Sequence, residues 1–206
     1  MRATAIAGLL FVAVALALAG TVRVRVAGPA ARPSDSPPAQ GAAPAGPVVS
    51  VHPAPPVPAV ALAVPVAGVS RAAIADSWGD PRENGLREHH GTDIVAPAGM
   101  PVVAAAPGTV EKLHQSAAGG TTIYVRSPDR QWSYYYAHLG DYAPGLHEGQ
   151  AVDTGDLIGY VGDSGNAGAG NYHLHFGLSH MADTDRWWEG TAVDPYPSLA
   201  GNTGPG

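Results

Sequence analysis

The sequence predicts an all-β domain built on an antiparallel sheet, preceded by an apolar N-terminal helix and a Pro-rich linker. Three observations predict it. Short apolar or β-branched runs recur beyond residue 98, separated by turn-forming residues at hairpin spacing. No stretch of ordinary helix length beyond Ala75 sustains a 3.6-residue apolar period. The chain before residue 68 has a different composition from the rest, first apolar and then rich in proline.

The elements follow in order. Residues 5–20, "AIAGLLFVAVALALAG", are an uncharged apolar run after Arg2, as in a signal peptide or a membrane anchor. "ALA" at 17–19 offers a small-residue cleavage site, and Arg23 and Arg25 follow. Residues 1–26 are therefore expected to direct export, leaving the domain periplasmic or at the cell envelope and open to membrane anchoring through the N-terminus. Residues 27–67 hold more than half of the chain's 20 prolines and almost no charge. Proline fixes φ and removes a backbone donor, so this segment is expected to be an extended linker without a core.

Residues 68–206 are the expected folded domain. They carry 7 Lys+Arg against 16 Asp+Glu, which leaves no basic patch for nucleic acid. With no cysteine in the chain, disulfides and thiolate metal sites are excluded. Candidate strands lie in 99–115, 121–128, 131–139, 150–165 and 172–180, with "AAGG", "SPDR", "APGLHEG" and "GNAGAGN" as the connections. The glycine-rich "GDSGNAGAGN" matches no phosphate-binding pattern and precedes a strand, so it reads as a flexible loop.

Eight of the nine histidines fall between 89 and 180, and some are placed for chemistry. In "NYHLHFGL", a strand puts His173 and His175 on one face and Leu174 and Phe176 on the other. "HHGTD" offers His89 and Asp93 four residues apart, with Gly91 between them to let the backbone turn tightly, and "YYYAHL" ends an aromatic strand at His138. Zinc takes imidazole and carboxylate, and a catalytic site uses three protein ligands with one position open. Five such residues supply three ligands and two further polar groups. Spacing alone does not say which histidine of the HxH pair holds metal. His90, His114, His147 and His180 lack such partners and are read as solvated.

The segments "HHGTDIVAPAGMPVVAAAPGTV", "YYYAHL" and "GYVGDSGNAGAGNYHLHFGL" together resemble the M23 (lysostaphin/LytM-like) zinc metallopeptidases, over roughly Ser77 to Pro195. The resemblance implies the lysostaphin/LytM fold, a Zn2+ cofactor and hydrolysis of peptidoglycan peptides. By position it implies His89, Asp93 and His175 as metal ligands and His138 and His173 as the catalytic histidines. No HExxH is present to supply a glutamate base.

Three other readings were weighed. A non-catalytic copy of the fold, binding peptidoglycan or activating an amidase, would have no need to keep all five positions. A biotinyl or lipoyl carrier needs a lysine at a hairpin tip, and the chain's one lysine, Lys112, lies outside "EGQAVDTGDLIGYVGD". A zinc D,D-carboxypeptidase of another fold needs an ExxH, and "EKLH" at 111–114 is preceded by no HxxxxxxD.

Overall fold

The computed structural model of the protein describes residues 62–201. Its strands are β1 (Pro81–Arg82), β2 (Arg87–Glu88), β3 (Thr92–Val95), β4 (Pro101–Val103), β5 (Gly108–Ser116), β6 (Gly120–Arg126), β7 (Trp132–Tyr142), β8 (Ala151–Val152), β9 (Leu157–Val161), β10 (His173–His180) and β11 (Thr191–Val193). A five-residue helix, α1 (Tyr196–Ala200), closes the fold. β1 and β2 form a separate hairpin. The other strands make one antiparallel sheet in the order β11-β10-β7-β6-β5-β8, with β3 added to β10 and β9 linking β7 to β4.

Alternation builds the core. On β7, Trp132, Tyr134 and Tyr136 face inward, and on β10 Leu174, Phe176 and Leu178 do the same. Tyr136 and Phe176 are cross-strand partners with ring centroids 5.3 Å apart, a geometry that adds to their area burial. Tyr136 is fully buried, and its hydroxyl accepts the Ala105 N–H at 2.9 Å. The opposite face of β10 is thereby left to His173 and His175.

Two expected strands are each divided. The 99–115 run bends at Ala104–Pro107 between β4 and β5, where Pro107 has no N–H to continue a ladder. The 150–165 run turns between β8 and β9, closed by an Asp153 N–H to the Asp156 carboxylate at 2.8 Å.

The domain begins before residue 68. Leu62 and Val66 are fully buried in the core. Residues 62–67 run beside β4, joined by Ala63 N–H to Ala105 O at 2.8 Å, Val103 N–H to Pro65 O at 2.9 Å and Ala67 N–H to Pro101 O at 3.0 Å. Arg71 donates to the carbonyl oxygens of Leu62, at 2.7 Å, and of Leu199 in α1, clamping this segment against the last helix. Residues 62–67 of the expected linker thus pack as part of the domain. The expected N-terminal helix and the remainder of the 27–67 linker lie outside the described residues. Among the described residues, no helix is long and apolar enough to cross a membrane.

Candidate metal centre and active site

The site is assembled by register on β10. Asp93 of β3 lies directly opposite His175, and Val95 opposite His173. Thr92 and Ile94 point into the core, so Asp93 turns outward to the histidine face. His89 enters from the end of β2, its backbone held on both sides by Gly79 N–H to His89 O and His89 N–H to Asp80 O, each 2.9 Å.

Three donor atoms converge. His89 Nε2 lies 2.8 Å from His175 Nδ1, and Asp93 Oδ1 is 3.0 Å from the first and 3.1 Å from the second. His89 Nδ1 donates to the Ser77 carbonyl at 2.6 Å, which leaves Nε2 with its lone pair towards the cluster. Ser77 also holds the carboxylate's strand, its Oγ accepting the Asp93 N–H at 3.0 Å. The second carboxylate oxygen, Oδ2, takes Arg82 Nη2 at 2.7 Å. Gly91 makes room for the arrangement, because a Cβ there would sit 2.5 Å from His175 Cε1.

Burial pushes the His175 imidazole down, against the pull of Asp93. Burial would raise the Asp93 carboxyl, but hydrogen bonds with His175 and His89 outweigh it and hold the group well below the usual carboxylate range. A lowered imidazole beside an ionised carboxylate favours the deprotonated ligands that a cation needs. Two nitrogens and one carboxylate oxygen suit zinc.

The other two histidines flank this cluster. His138 and His173 have ring centroids 4.9 Å apart, and His173 Nε2 lies 3.8 Å from Asp93 Oδ1. Each Nδ1 donates to a backbone carbonyl at 2.9 Å, His138 to Ser164 and His173 to Asn171. Both rings therefore keep Nε2 free to carry or accept a proton. Burial pushes His138 down to about 4, so it is a neutral base at pH 7.

His138 also has φ of +61°, a left-handed conformation that costs a non-glycine residue about 1–3 kcal/mol. Surrounding contacts enforce it. Its N–H bonds to Gly119 O at 2.8 Å, and Ser164 is itself fixed, its Oγ accepting from Thr121 N–H at 3.0 Å and donating to Leu139 O at 2.6 Å. The expected flexible loop is thus pinned in its first half. Gly165, at φ +70°, packs so tightly on the β5–β6 turn that a Cβ would fall 2.3 Å from Gly120 N.

All five residues singled out in the sequence come together. Ser77, Arg82 and Ser164 were not anticipated. Two of them act through backbone carbonyls, which leave no mark on residue type. Three of the four remaining histidines are less bare than expected. His90 stacks on Trp78 at 5.2 Å, His114 packs against Trp187 at 5.0 Å and His180 against Trp132 at 5.2 Å.

Residues 87–195 match the sequence model of peptidase family M23. The chain belongs to that family. This M23 domain is 39% identical over 129 residues to an L-Ala–D-Glu endopeptidase of Bacillus subtilis, covering 60% of this chain and 38% of the relative. It is 33% identical over 91 residues to the peptidoglycan DD-endopeptidase ShyC of Vibrio cholerae, covering 44% and 20%. The chain thus spans less than two fifths of either relative's length. The catalytic domain of lysostaphin from Staphylococcus simulans superposes with a TM-score of 0.51 at 29% identity, over 61% of this chain and 90% of that one. The all-β antiparallel architecture is that of the lysostaphin/LytM fold.

Proposed function

We propose that this M23 domain is a zinc-dependent endopeptidase that hydrolyses peptide bonds of peptidoglycan. The observation that carries the reading is the convergence of His89, Asp93 and His175 beside two histidines whose Nε2 atoms are free. Zinc, when bound by those three residues, supplies Lewis acidity that polarises a carbonyl and acidifies water.

The chain's own residues do the rest. Neutral His138 accepts a proton at Nε2 from the attacking water as its oxygen bonds to the scissile carbonyl carbon. His173, its Nδ1–H tied to Asn171 O, presents Nε2 to the developing oxyanion or the departing amine, and serves there when protonated. The C–N bond breaks, and the proton taken from water ends on the amine. Carbonyl anchors on both rings fix their tautomers, and that orientation is kept before substrate arrives.

The two curated relatives carry the names of endopeptidases for different peptidoglycan bonds, which supports the substrate class. We assign residues 1–26 to export and 27–61 to a spacer that lets the domain reach the wall. The full chain with added zinc should release fragments bearing new amino termini from purified sacculi, read by mass spectrometry. Asp93→Ala should release none. Sacculi that yield no new amino termini with the zinc-loaded wild type would overturn the reading.

A further inference from the structure

The hairpin that delivers His89 to the site also brings two arginines to it. Arg82 on β1 and Arg87 on β2 are direct cross-strand partners, so their side chains share one face of the hairpin. Like charges placed opposite one another disfavour the pair, and the domain is otherwise acidic, with 7 Lys+Arg against 16 Asp+Glu from residue 68 onward. Most of the other cations are committed elsewhere. Arg71 binds backbone carbonyls at α1, Lys112 pairs with Glu148, Arg126 and Arg130 with Glu111, and Arg186 with Glu189. Among the described residues, Arg82 is the cation that touches a metal donor.

Its guanidinium is only partly used. Nη2 is on Asp93 Oδ2 at 2.7 Å and Nε is buried without a partner, so the 34% exposure of the side chain lies on its other atoms. Arg87 is equally exposed, and its bond to Glu83 is a longer 3.2 Å at the surface. A guanidinium has N–H donors beyond the one given to a first carboxylate, and two arginines side by side can each offer one to a second carboxylate. Two residues beyond Asp93 on the same strand face, Val95 is 80% exposed. It lines a shallow cleft with Ala96, Pro97 and Tyr172. A peptide laid along β3 would thus meet cations at Asp93 and an apolar surface about 6.5 Å further on.

We propose that Arg82 and Arg87 form a carboxylate-recognition subsite. It selects stem peptides with a free carboxylate beside the scissile amide over uncharged bridges such as oligoglycine. The inference rests on the endopeptidase reading and narrows it. An Ala–Glu junction fits both surfaces. Its alanine methyl is small and apolar, and glutamate keeps one carboxylate free whichever of its two carboxyls extends the chain.

The test compares two peptides differing only in that group, an L-Ala–D-Glu peptide and its D-isoglutamine amide, with the zinc-loaded full chain. The carboxylate form should have a kcat/KM about 10- to 100-fold higher, as for loss of a hydrogen bond to a charged group. Arg87→Gln and Arg82→Gln should each bring the ratio towards one, and Arg82→Lys should restore part of it. Bound zinc is measured in every variant, so that a slackened Asp93 is told apart from a lost subsite. Binding of both uncut peptides to the His138→Ala variant, by calorimetry, should show the same preference without turnover. Equal kcat/KM for the two peptides in the wild type, or a ratio surviving both glutamine variants, would overturn the subsite while leaving the endopeptidase intact. Failure to cut either peptide or sacculi, with equal binding of both peptides, would overturn the two together.

Discussion

Gly91→Ala is the substitution with the most direct structural consequence for metal binding. The new methyl would lie 2.5 Å from His175 Cε1, 2.8 Å from His175 Nε2 and 2.8 Å from the Phe176 carbonyl oxygen. Carbon contacts settle near 3.5–4.0 Å, so the ring or the backbone must retreat by about 1 Å. Metal–ligand bonds tolerate about 0.2 Å. Ring retreat therefore removes His175 from the donor set, and zinc affinity should drop by about 100-fold or more, the upper end of what even an indirect change to a ligand's support produces. Backbone retreat would instead cost about 1–3 kcal/mol of overpacking. Zinc titration against a competing chelator reads the first effect, and denaturant unfolding of the metal-free protein reads the second. An alanine variant that binds one zinc with wild-type affinity, keeps full turnover and unfolds in denaturant like the wild type would refute the placement of His175 as a ligand.

Five further outcomes are expected. Asp93→Ala should lose stoichiometric zinc by elemental analysis, since only two protein ligands remain. His138→Ala and His173→Ala should retain zinc and fold yet lose about 10²–10⁴ in kcat, the usual contribution of a positioned proton-transfer group; metal loss in either would reassign it. Activity should decline below about pH 6 as protons compete with zinc for imidazole, and excess zinc should move that limb to lower pH. In the metal-free protein, the unfolded chain protonates His138 near 6.5 and the folded one only near 4. Stability should fall as pH drops through that window, and denaturant melts should show a shallower fall in His138→Ala. A chain starting at Leu62 should melt like the full protein. One starting at Gly68 loses two fully buried side chains worth about 1.5–3 kcal/mol each, a large part of a typical 5–15 kcal/mol stability.

The strands of the core were legible as short aromatic and apolar runs between turn residues, as in "WSYYYAHL" and "HLHFGL". The five polar site residues were legible as residue types at strand spacing. What supports them was not. Ser77 and Ser164 act through a carbonyl, Asn171 likewise, and a carbonyl is common to every residue. Gly91 reads as a turn glycine, whereas its role is to leave space for an imidazole that arrives from 84 positions further along the chain. The packing of the Leu62–Val66 segment was not legible, because prolines mask it. Pro65 sits within it and still offers its carbonyl to Val103 at 2.9 Å.

The left-handed torsion at His138 bears on whether this domain has kept a reaction to perform. A glycine or asparagine would occupy φ +61° with less strain than histidine. Drift towards stability therefore favours losing the imidazole, and a copy relieved of chemistry would gain by its replacement. The chain instead has the unfavourable residue there and surrounds it with the contacts that force it into place. A torsion held against a side chain's own preference is the kind of strain that surrounding structure must over-determine, and under the proposed function it is the cost of aiming one imidazole.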